Sequence, residues 1–216
     1  RMGLHMAEEY ASLNRNVLLV SLPGENLKKL SVDIKEKYGV QSAYFEIDLT
    51  EENSAKNIFN WVHKNNYSID FLINNAGFGG VGSFEDYSIE YIEKMIDLNI
   101  KATTNLTHYF IPDLKNNSPS FILNNASMIA NFPCPYKSIY AASKVYVKYF
   151  TEALKVELEV YDISVSLLQP GATPTNEVVK NQINKGGFFA RLSVTEANKV
   201  AKKAVRDTLN GKSIII

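Results

Sequence analysis

Tyr140 and Lys144 are the two residues whose types and spacing indicate chemistry most directly. They stand four positions apart in the run Tyr140-Ala-Ala-Ser-Lys144, so on a helix both side chains lie on one face and reach one site. A free phenol has a pKa near 10 and is a poor base at neutral pH. A neighbouring ammonium favours the phenolate and lowers that pKa, so the pair could transfer a proton.

Further polar residues stand where a fold could bring them to the same place. Ser127 follows an apolar run; its hydroxyl could bind a substrate oxygen at the edge of a sheet, or only cap a turn. The run Asn74-Asn75-Ala76-Gly77 is a turn signal, or a place where the backbone approaches a cofactor closely. Asn99 lies among apolar neighbours and needs hydrogen-bond partners, in an orienting role or a purely structural one.

The elements that must position these residues follow from the alternation of short apolar runs with longer amphipathic ones. Continuous apolar runs suit strands buried on both faces, and strands that alternate with helices predict a Rossmann-type, doubly wound, mostly parallel sheet flanked by helices. Strands are predicted at 16–21, 43–47, 70–74, 120–124, 163–168 and 213–216, and helices at 3–13, 26–38, 52–65, 88–114, 138–161 and 195–210.

Composition narrows the classes of function. The 216 residues suit a single domain over 1–216, and the balance of 23 basic and 23 acidic residues gives no bulk attraction to nucleic acid. The single cysteine, Cys134, cannot form an intramolecular disulfide, which favours the cytoplasm. No apolar run reaches the roughly 20 residues of a membrane span. The histidines have no metal-ligand spacing, so no metal site is expected.

Taken together in their order and intervals, the residues above and Pro170-Gly171 resemble the classical short-chain dehydrogenase/reductase family over essentially the whole chain. The resemblance implies an oxidoreductase that moves a hydride between NAD(P) and a ketone, an aldehyde or a secondary alcohol. It makes Tyr140 the general acid/base, Ser127 the group that polarises the substrate oxygen, and Lys144 the group that tunes Tyr140 and binds the nicotinamide ribose. Asn99 would hold a water in the proton relay.

The resemblance also implies a cofactor site made by residues at several strand ends. Besides Tyr140 and Lys144, it comprises Gly3, Ser21, Asp48, Leu49, Asn75, Ala76, Gly77, Pro170, Gly171 and Thr175. At the end of the strand predicted over 16–21 there is no carboxylate to bind a ribose 2′-hydroxyl, and Ser21 could bind a 2′-phosphate instead, so NADP(H) is favoured over NAD(H).

The beginning of the chain departs from the family pattern. A helix comes first, whereas the fold needs a preceding central strand and a glycine-rich loop, of which only Gly3 matches. Arg1 stands where the family's middle glycine is usual; it could contact a cofactor phosphate or simply be solvated. Because a missing central strand leaves its neighbours unpaired, we expect the native chain to extend upstream.

Two other readings use the same residues: a cofactor-binding regulator without turnover, and an epimerase or dehydratase of the family's extended branch. A loop at about 175–193 is expected to contact the substrate. Phe132, Phe188 and Phe189 could form an apolar wall there or cover the core, and the apolar end of the chain resembles members that act on lipid-like ketones. In this family the helices predicted over 88–114 and 138–161 form subunit contacts, so a homodimer or homotetramer is expected.

Overall fold

The computed structural model describes residues 2–171 and 196–216, and strands and helices alternate along both ranges. The strands are β1 (Val17–Ser21), β2 (Ser42–Glu46), β3 (Phe71–Asn74), β4 (Ser120–Asn125), β5 (Ile163–Leu168) and β6 (Ile214–Ile215). The α-helices are α1 (Met2–Ser12), α2 (Leu27–Tyr38), α3 (Ser54–Lys64), α4 (Ile89–Ile96), α5 (Thr103–Asn116), α6 (Ser138–Leu158) and α7 (Ala197–Leu209). Short 3₁₀ turns cover Phe84–Asp86, Met128–Asn131 and Glu159–Tyr161.

The helix predicted over 88–114 is helical from Ile89 to Asn116 in the structure, but it is not α-helical throughout. Ser88 caps α4 by accepting a hydrogen bond from the Tyr91 N–H at 3.2 Å. Between α4 and α5, however, Asp97–Ala102 forms a π-helical turn. Such turns insert a residue into an α-helix and are frequent at functional sites. This one contains Asn99.

All strand pairs in the described residues are parallel, and they form two sheets. One sheet pairs β1 with β2, and the other has the order β3-β4-β5-β6. The Rossmann-like α/β class expected from the sequence is confirmed. No ladder between β1 and β3 is formed by the described residues. The expectation of a further strand upstream stays a prediction.

Apolar side chains hold helices against both faces of these strands. One core cluster joins α1 and α7 to β1, β3, β4, β5 and β6. On the other face, α5 and α6 cover β4 and β5, and α3 with α5 covers β1 and β3. Helix α1 spans the division between the sheets, because its residues pack with Val17 and Leu19 of β1 and with Phe71 and Ile73 of β3. The result is three layers, with the sheet between two layers of helices.

A buried row of polar side chains fixes the carboxyl ends of β3 and β4. Asn74 and Asn124 face each other in the strand register, and the Asn74 amide donates to the Asn124 Oδ1 at 2.8 Å and to the Thr107 hydroxyl at 3.0 Å. The Asn124 amide donates in turn to the Thr151 hydroxyl at 3.0 Å. Since a buried polar group is costly without a partner, this row ties α5 and α6 to the strand ends in one arrangement.

Candidate active site

The first two turns of α6 present Tyr140 and Lys144 side by side at the carboxyl edge of β4. Tyr140 is half-buried, whereas only 4% of Lys144 is exposed. The Lys144 ammonium donates a hydrogen bond to the Asn125 carbonyl at 2.8 Å and lies 5.8 Å from the centre of the Tyr140 ring. The geometry therefore brings the predicted pair together, with the ammonium anchored on the last residue of β4.

Ser127 lies on the turn that follows β4, near enough to the Tyr140 phenol for its hydroxyl to lower the pKa of that phenol. The same Ser127 oxygen accepts a hydrogen bond from the Ile129 N–H at 3.3 Å, so Ser127 also begins the 3₁₀ turn Met128–Asn131. The structure thus shows Ser127 as the cap of a turn, and its role as a binder of a substrate oxygen stays a prediction. A substrate oxygen placed at this pair would meet two hydroxyl donors.

The pKa of Tyr140 is raised above its ordinary value of 10.0. Burial causes the rise, because it penalises the charged phenolate, and the hydrogen bond from Ser127 opposes it. The spacing of Tyr140 and Lys144 predicts that the Lys144 ammonium lowers this pKa. In the structure the shift has the opposite sign, since burial outweighs the hydrogen bond, and the ammonium itself is turned to the Asn125 carbonyl.

Burial acts in the opposite sense on Lys144. Removal of the ammonium from water lowers its pKa from 10.5 to about 8. The side chain is therefore close to its titration point in neutral to mildly alkaline solution. Because a buried charge needs strong local interactions to persist, the Asn125 carbonyl is an important part of the site.

Asn99 lies on the π turn and is almost fully buried, with 1% of its surface exposed. Its Oδ1 accepts from the Phe78 N–H at 3.0 Å and its amide donates to the Phe78 carbonyl at 2.9 Å. The amide also donates to the Ser143 hydroxyl at 2.9 Å. Asn99 therefore holds the loop after β3 against α6, which is the structural role considered for it; an orienting role toward Lys144 or a water stays a prediction.

Two glycines of that loop allow its backbone to approach the site. A Cβ on Gly77 would lie 3.0 Å from the Asn99 Oδ1 and 3.2 Å from the Lys144 Nζ. A Cβ on Gly79 would lie 2.6 Å from the Tyr140 Cγ and closer still to Cδ2. Because side-chain atoms cannot approach so closely, the ring of Tyr140 packs on bare backbone at Gly79. Gly79 and Ser143 are not among the site residues predicted from the sequence. The glycine-rich run Gly77-Phe78-Gly79-Gly80 is the only signal in the sequence that indicates Gly79.

At the amino end of α1, Gly3 lies against a pair of asparagines. A Cβ on Gly3 would lie 2.9 Å from the Asn75 Nδ2, and the Asn125 amide donates to the Asn75 Oδ1 at 3.1 Å. The Asn125 Oδ1 is buried and has no hydrogen-bond partner in the described part of the chain. Ala76 and Gly77 are exposed beside this pair. A helix amino end, bare backbone and an unpaired amide oxygen fit a polar cofactor laid across this edge.

The remaining predicted cofactor residues are distributed along the same edge. Ser21 ends β1, and its carbonyl accepts from the Ile47 N–H at 2.9 Å; the Asp48 Oδ1 binds the backbone and hydroxyl of Thr50 at 2.9 and 2.8 Å. Leu49 packs in the core. The Pro170 carbonyl accepts from the Met128 N–H at 3.2 Å, which places Pro170-Gly171 beside Ser127. Arg1, Thr175, Phe188, Phe189 and the substrate loop at 175–193 lie outside the described residues.

Two classes of feature are not found among residues 2–171 and 196–216. No cluster of three or more histidine, cysteine, aspartate or glutamate side chains is placed to hold a metal ion. No described helix is both long and apolar enough to cross a membrane.

The comparisons with known proteins agree with this geometry. The family model described as short chain dehydrogenase matches residues 2–185. The chain belongs to the short chain dehydrogenase family. It is similar to a probable short-chain type dehydrogenase/reductase of Helicobacter pylori, 30% identical over 78% of this chain. It is also 30% identical, over 99% of its length, to 11-beta-hydroxysteroid dehydrogenase-like 3 of Arabidopsis thaliana.

Solved structures of the family superpose on nearly the whole chain. A short-chain dehydrogenase from Sphingobium yanoikuyae in complex with NADPH matches with a TM-score of 0.86 and 26% identity, over 100% of this chain and 83% of that one. The chain spans 63% and 69% of the lengths of the Helicobacter and Arabidopsis relatives.

The burial of Lys144 predicts a pH-dependent stability that Lys144→Met removes. Below pH 8 the folded state bears the cost of a buried ammonium; between pH 8 and the unfolded-state value of 10.5, the folded state loses the proton first and the cost falls. Relative to Lys144→Met, the free energy of unfolding of the wild type should rise by on the order of 1 kcal/mol from pH 7 to pH 9. Urea unfolding at pH 7, 8 and 9 measures this difference.

Lys155→Met is the matched control, because Lys155 is an exposed lysine on the same helix. It should keep the slope of the wild type. Equal slopes in wild type and Lys144→Met would show that the Lys144 ammonium is not desolvated as described.

Proposed function

We propose that the chain is an NAD(P)-dependent oxidoreductase that interconverts a ketone or aldehyde and the corresponding alcohol. The observation that carries the proposal is the convergence of Ser127, Tyr140 and Lys144, two hydroxyls and a buried ammonium, at one edge of the sheet. The nicotinamide cofactor, when bound, supplies or accepts the hydride. The residues of the chain then have to bind the carbonyl oxygen and deliver the proton.

In this proposal Tyr140 is the general acid of the reduction. Because its pKa is raised, the phenol is protonated at neutral pH and can donate its proton to the carbonyl oxygen as that oxygen gains negative charge. Ser127 donates a hydrogen bond to the same oxygen and stabilises the developing charge. In the reverse direction the same phenol must first lose its proton, so the burial of Tyr140 favours reduction at neutral pH.

Lys144 and Asn99 assist this proton transfer. The Lys144 ammonium, held on the Asn125 carbonyl, binds the cofactor ribose and stabilises the deprotonated Tyr140 after proton transfer. Because its pKa is lowered to about 8, the ammonium can return a proton to the deprotonated Tyr140. Asn99 fixes the loop that borders the ring and, in this proposal, holds a water that links Lys144 to solvent.

Several observations support a cofactor along the edge from Ser21 to Pro170, with NADP(H) favoured over NAD(H). Gly3 near the amino end of α1 fits a cofactor phosphate, and the unpaired Asn125 Oδ1, beside Asn75, is an acceptor that fits a ribose hydroxyl. At the end of β1, Ser21 is followed by Leu22 and carries no charge that would repel a 2′-phosphate. The similar Sphingobium yanoikuyae enzyme is a complex with NADPH.

The side chains around the site favour an apolar substrate. Five large apolar residues are exposed on the two loops that flank Tyr140, and the Gly82 N–H joins these loops by donating to the Tyr136 carbonyl at 2.9 Å. A cluster of exposed apolar side chains at a catalytic cleft indicates a binding surface. One relative is named for a hydroxysteroid dehydrogenase. The five residues are Val81, Phe84, Met128, Phe132 and Tyr136.

We also propose that the protein self-associates as a dimer or tetramer in the cytoplasm. The supporting observation is a set of exposed apolar residues, Tyr149 and Val156 on α6 and Val160 in the 3₁₀ turn that follows it, which are 64%, 70% and 80% exposed. The interval from Tyr149 to Val156 places both on one face of the helix. Such a face is typical of helix–helix contacts between subunits.

Tyr140→Phe should abolish turnover, because the ring stays in place while the proton donor is lost. Reduction of a panel of ketones by NADPH should fall at least a thousandfold, in line with loss of a positioned acid and its hydrogen bonds. NADPH and NADH binding, followed by nicotinamide fluorescence, should be retained, with NADPH tighter in both proteins. Activity within a few-fold of wild type would contradict the role of Tyr140; cofactor binding by a wild type that reduces no carbonyl would favour a regulator instead.

The apolar loops predict a preference for longer carbon chains. For a series of straight-chain ketones, kcat/KM should rise by up to about fourfold for each added CH₂ that is buried. Phe132→Ser should flatten this rise and leave the shortest ketone little affected. Val32→Ser, which changes an exposed valine on α2, should leave the series unchanged. A series that is flat in the wild type would contradict an apolar substrate site.

A further inference from the structure

The Ser143 hydroxyl is buried between two parts of the site, and the mechanism above does not use it. Only 1% of the residue is exposed. Its hydroxyl donates a hydrogen bond to the Tyr140 carbonyl at 2.7 Å and accepts one from the Asn99 amide at 2.9 Å. Ser143 therefore connects the backbone that carries Tyr140 to the π turn that carries Asn99.

From Asn99 the contacts lead back to the ring of Tyr140. Asn99 binds both the N–H and the carbonyl of Phe78, at 3.0 and 2.9 Å. The next residue, Gly79, lies so close to the ring that even a Cβ would collide with it. The contacts thus close a circuit that starts at the Tyr140 carbonyl, passes through Ser143, Asn99, Phe78 and Gly79, and ends on the Tyr140 ring.

This circuit limits the motion of the phenol from two sides. The hydrogen bonds fix the distance between α6 and the loop after β3, and the bare backbone of Gly79 then sets the plane of the ring. Without the Ser143 hydroxyl, one amide hydrogen of Asn99 is buried without a partner, which costs on the scale of a lost hydrogen bond. Relaxation of Asn99 would move Phe78 and with it Gly79, so the ring would lose its support.

We propose that Ser143 is a positioning residue for proton transfer, which holds the Tyr140 ring in place through Asn99, Phe78 and Gly79. The inference rests on the proposed function, in which Tyr140 gives its proton to the substrate. It assigns Ser143 no contact with substrate or cofactor. Small displacements of a reacting group can lower the rate of a reaction by orders of magnitude, so the effect should appear in kcat.

Thr151 offers a closely matched control on the same helix. It too is 1% exposed; its hydroxyl donates to the Val147 carbonyl at 2.6 Å and accepts from the Asn124 amide at 3.0 Å. Ser143 and Thr151 therefore make the same kinds of contact, one helix carbonyl and one asparagine amide, in equally buried places. Only the contacts of Ser143 lead to the Tyr140 ring.

The test compares Ser143→Ala with Thr151→Val, each of which removes one buried hydroxyl. Both should lower the melting temperature to a similar degree. Ser143→Ala should lower kcat for NADPH-dependent ketone reduction by at least tenfold, with the KM for NADPH within twofold of wild type. Thr151→Val should keep kcat within twofold. Ser143→Cys, which keeps the volume and a weaker hydrogen-bonding group, should fold and give an intermediate kcat.

A second readout needs no turnover. In protein labelled with ¹³C at the tyrosine ζ carbon, the Tyr140 signal is identified by its loss in Tyr140→Phe. At a fixed pH that signal should shift in Ser143→Ala and Ser143→Cys and stay in place in Thr151→Val. This NMR measurement distinguishes the two proposals. A wild type that reduces no carbonyl would contradict the proposed function, but the shift of the Tyr140 signal would still show whether Ser143 positions the ring.

Either of two results would overturn the role of Ser143. One is a kcat of Ser143→Ala, or of Ser143→Cys if the alanine variant does not fold, that matches Thr151→Val. The other is a Tyr140 signal that is unchanged by the loss of the Ser143 hydroxyl.

Discussion

The buried amide of Asn99 is the constraint on which the geometry of the site depends. An amide with 1% exposure has lost its water and must find partners inside the protein. Asn99 finds them in the backbone of Phe78 and the hydroxyl of Ser143, which belong to two other elements. Phe78 lies between Gly77 and Gly79, and Ser143 is bonded to the first turn of α6. The hydrogen bonds of the single Asn99 amide therefore hold these two glycines and that turn together.

The sheet supplies the frame for this arrangement. Parallel strands end at one edge, so the turns after β3 and β4 lie next to each other, and the row from Thr107 through Asn74 and Asn124 to Thr151 fixes both ends against the helices. On the opposite face, α1 packs on both sheets and brings Gly3 to Asn75. The Tyr140 side and the Gly3 side of the candidate site thus depend on different helix layers that meet at the strand ends.

Burial then sets the charges with which the site works. It raises the pKa of Tyr140 above 10.0 and lowers that of Lys144 from 10.5 to about 8, so two groups of similar acidity in water become separated, with the ammonium the stronger acid. Burial therefore favours a protonated phenol beside an amine that gives up its proton more readily. Ser127 opposes the rise in the pKa of Tyr140, and the Asn125 carbonyl accepts a hydrogen bond from the Lys144 ammonium at 2.8 Å.

Much of this fold could be predicted from the sequence, because each apolar run suits one buried strand and each strand is followed by an amphipathic helix. The predicted strands over 120–124 and 163–168 correspond to Ser120–Asn125 and Ile163–Leu168. The position of Tyr140 and Lys144 on one face of α6 likewise follows from their four-residue interval and helix periodicity. These features are local, and local patterns record them directly.

The rest depends on tertiary contacts. The π turn at Asp97–Ala102 lies within a stretch predicted as one helix, because the sequence pattern does not distinguish π-helical from α-helical backbone. The sign of the Tyr140 shift depends on how deeply the ring is buried, and the sequence does not show that depth. Ser143 looks like an ordinary helix residue until the position of Asn99 is known.

The central claim, that this edge of the sheet carries out hydride transfer to a carbonyl, can be tested directly with NADPH that carries deuterium at both positions of the nicotinamide C4. When the wild-type protein reduces an apolar ketone with this cofactor, the alcohol should carry one deuterium on the former carbonyl carbon, as mass spectrometry would show. An alcohol formed without deuterium would contradict the account.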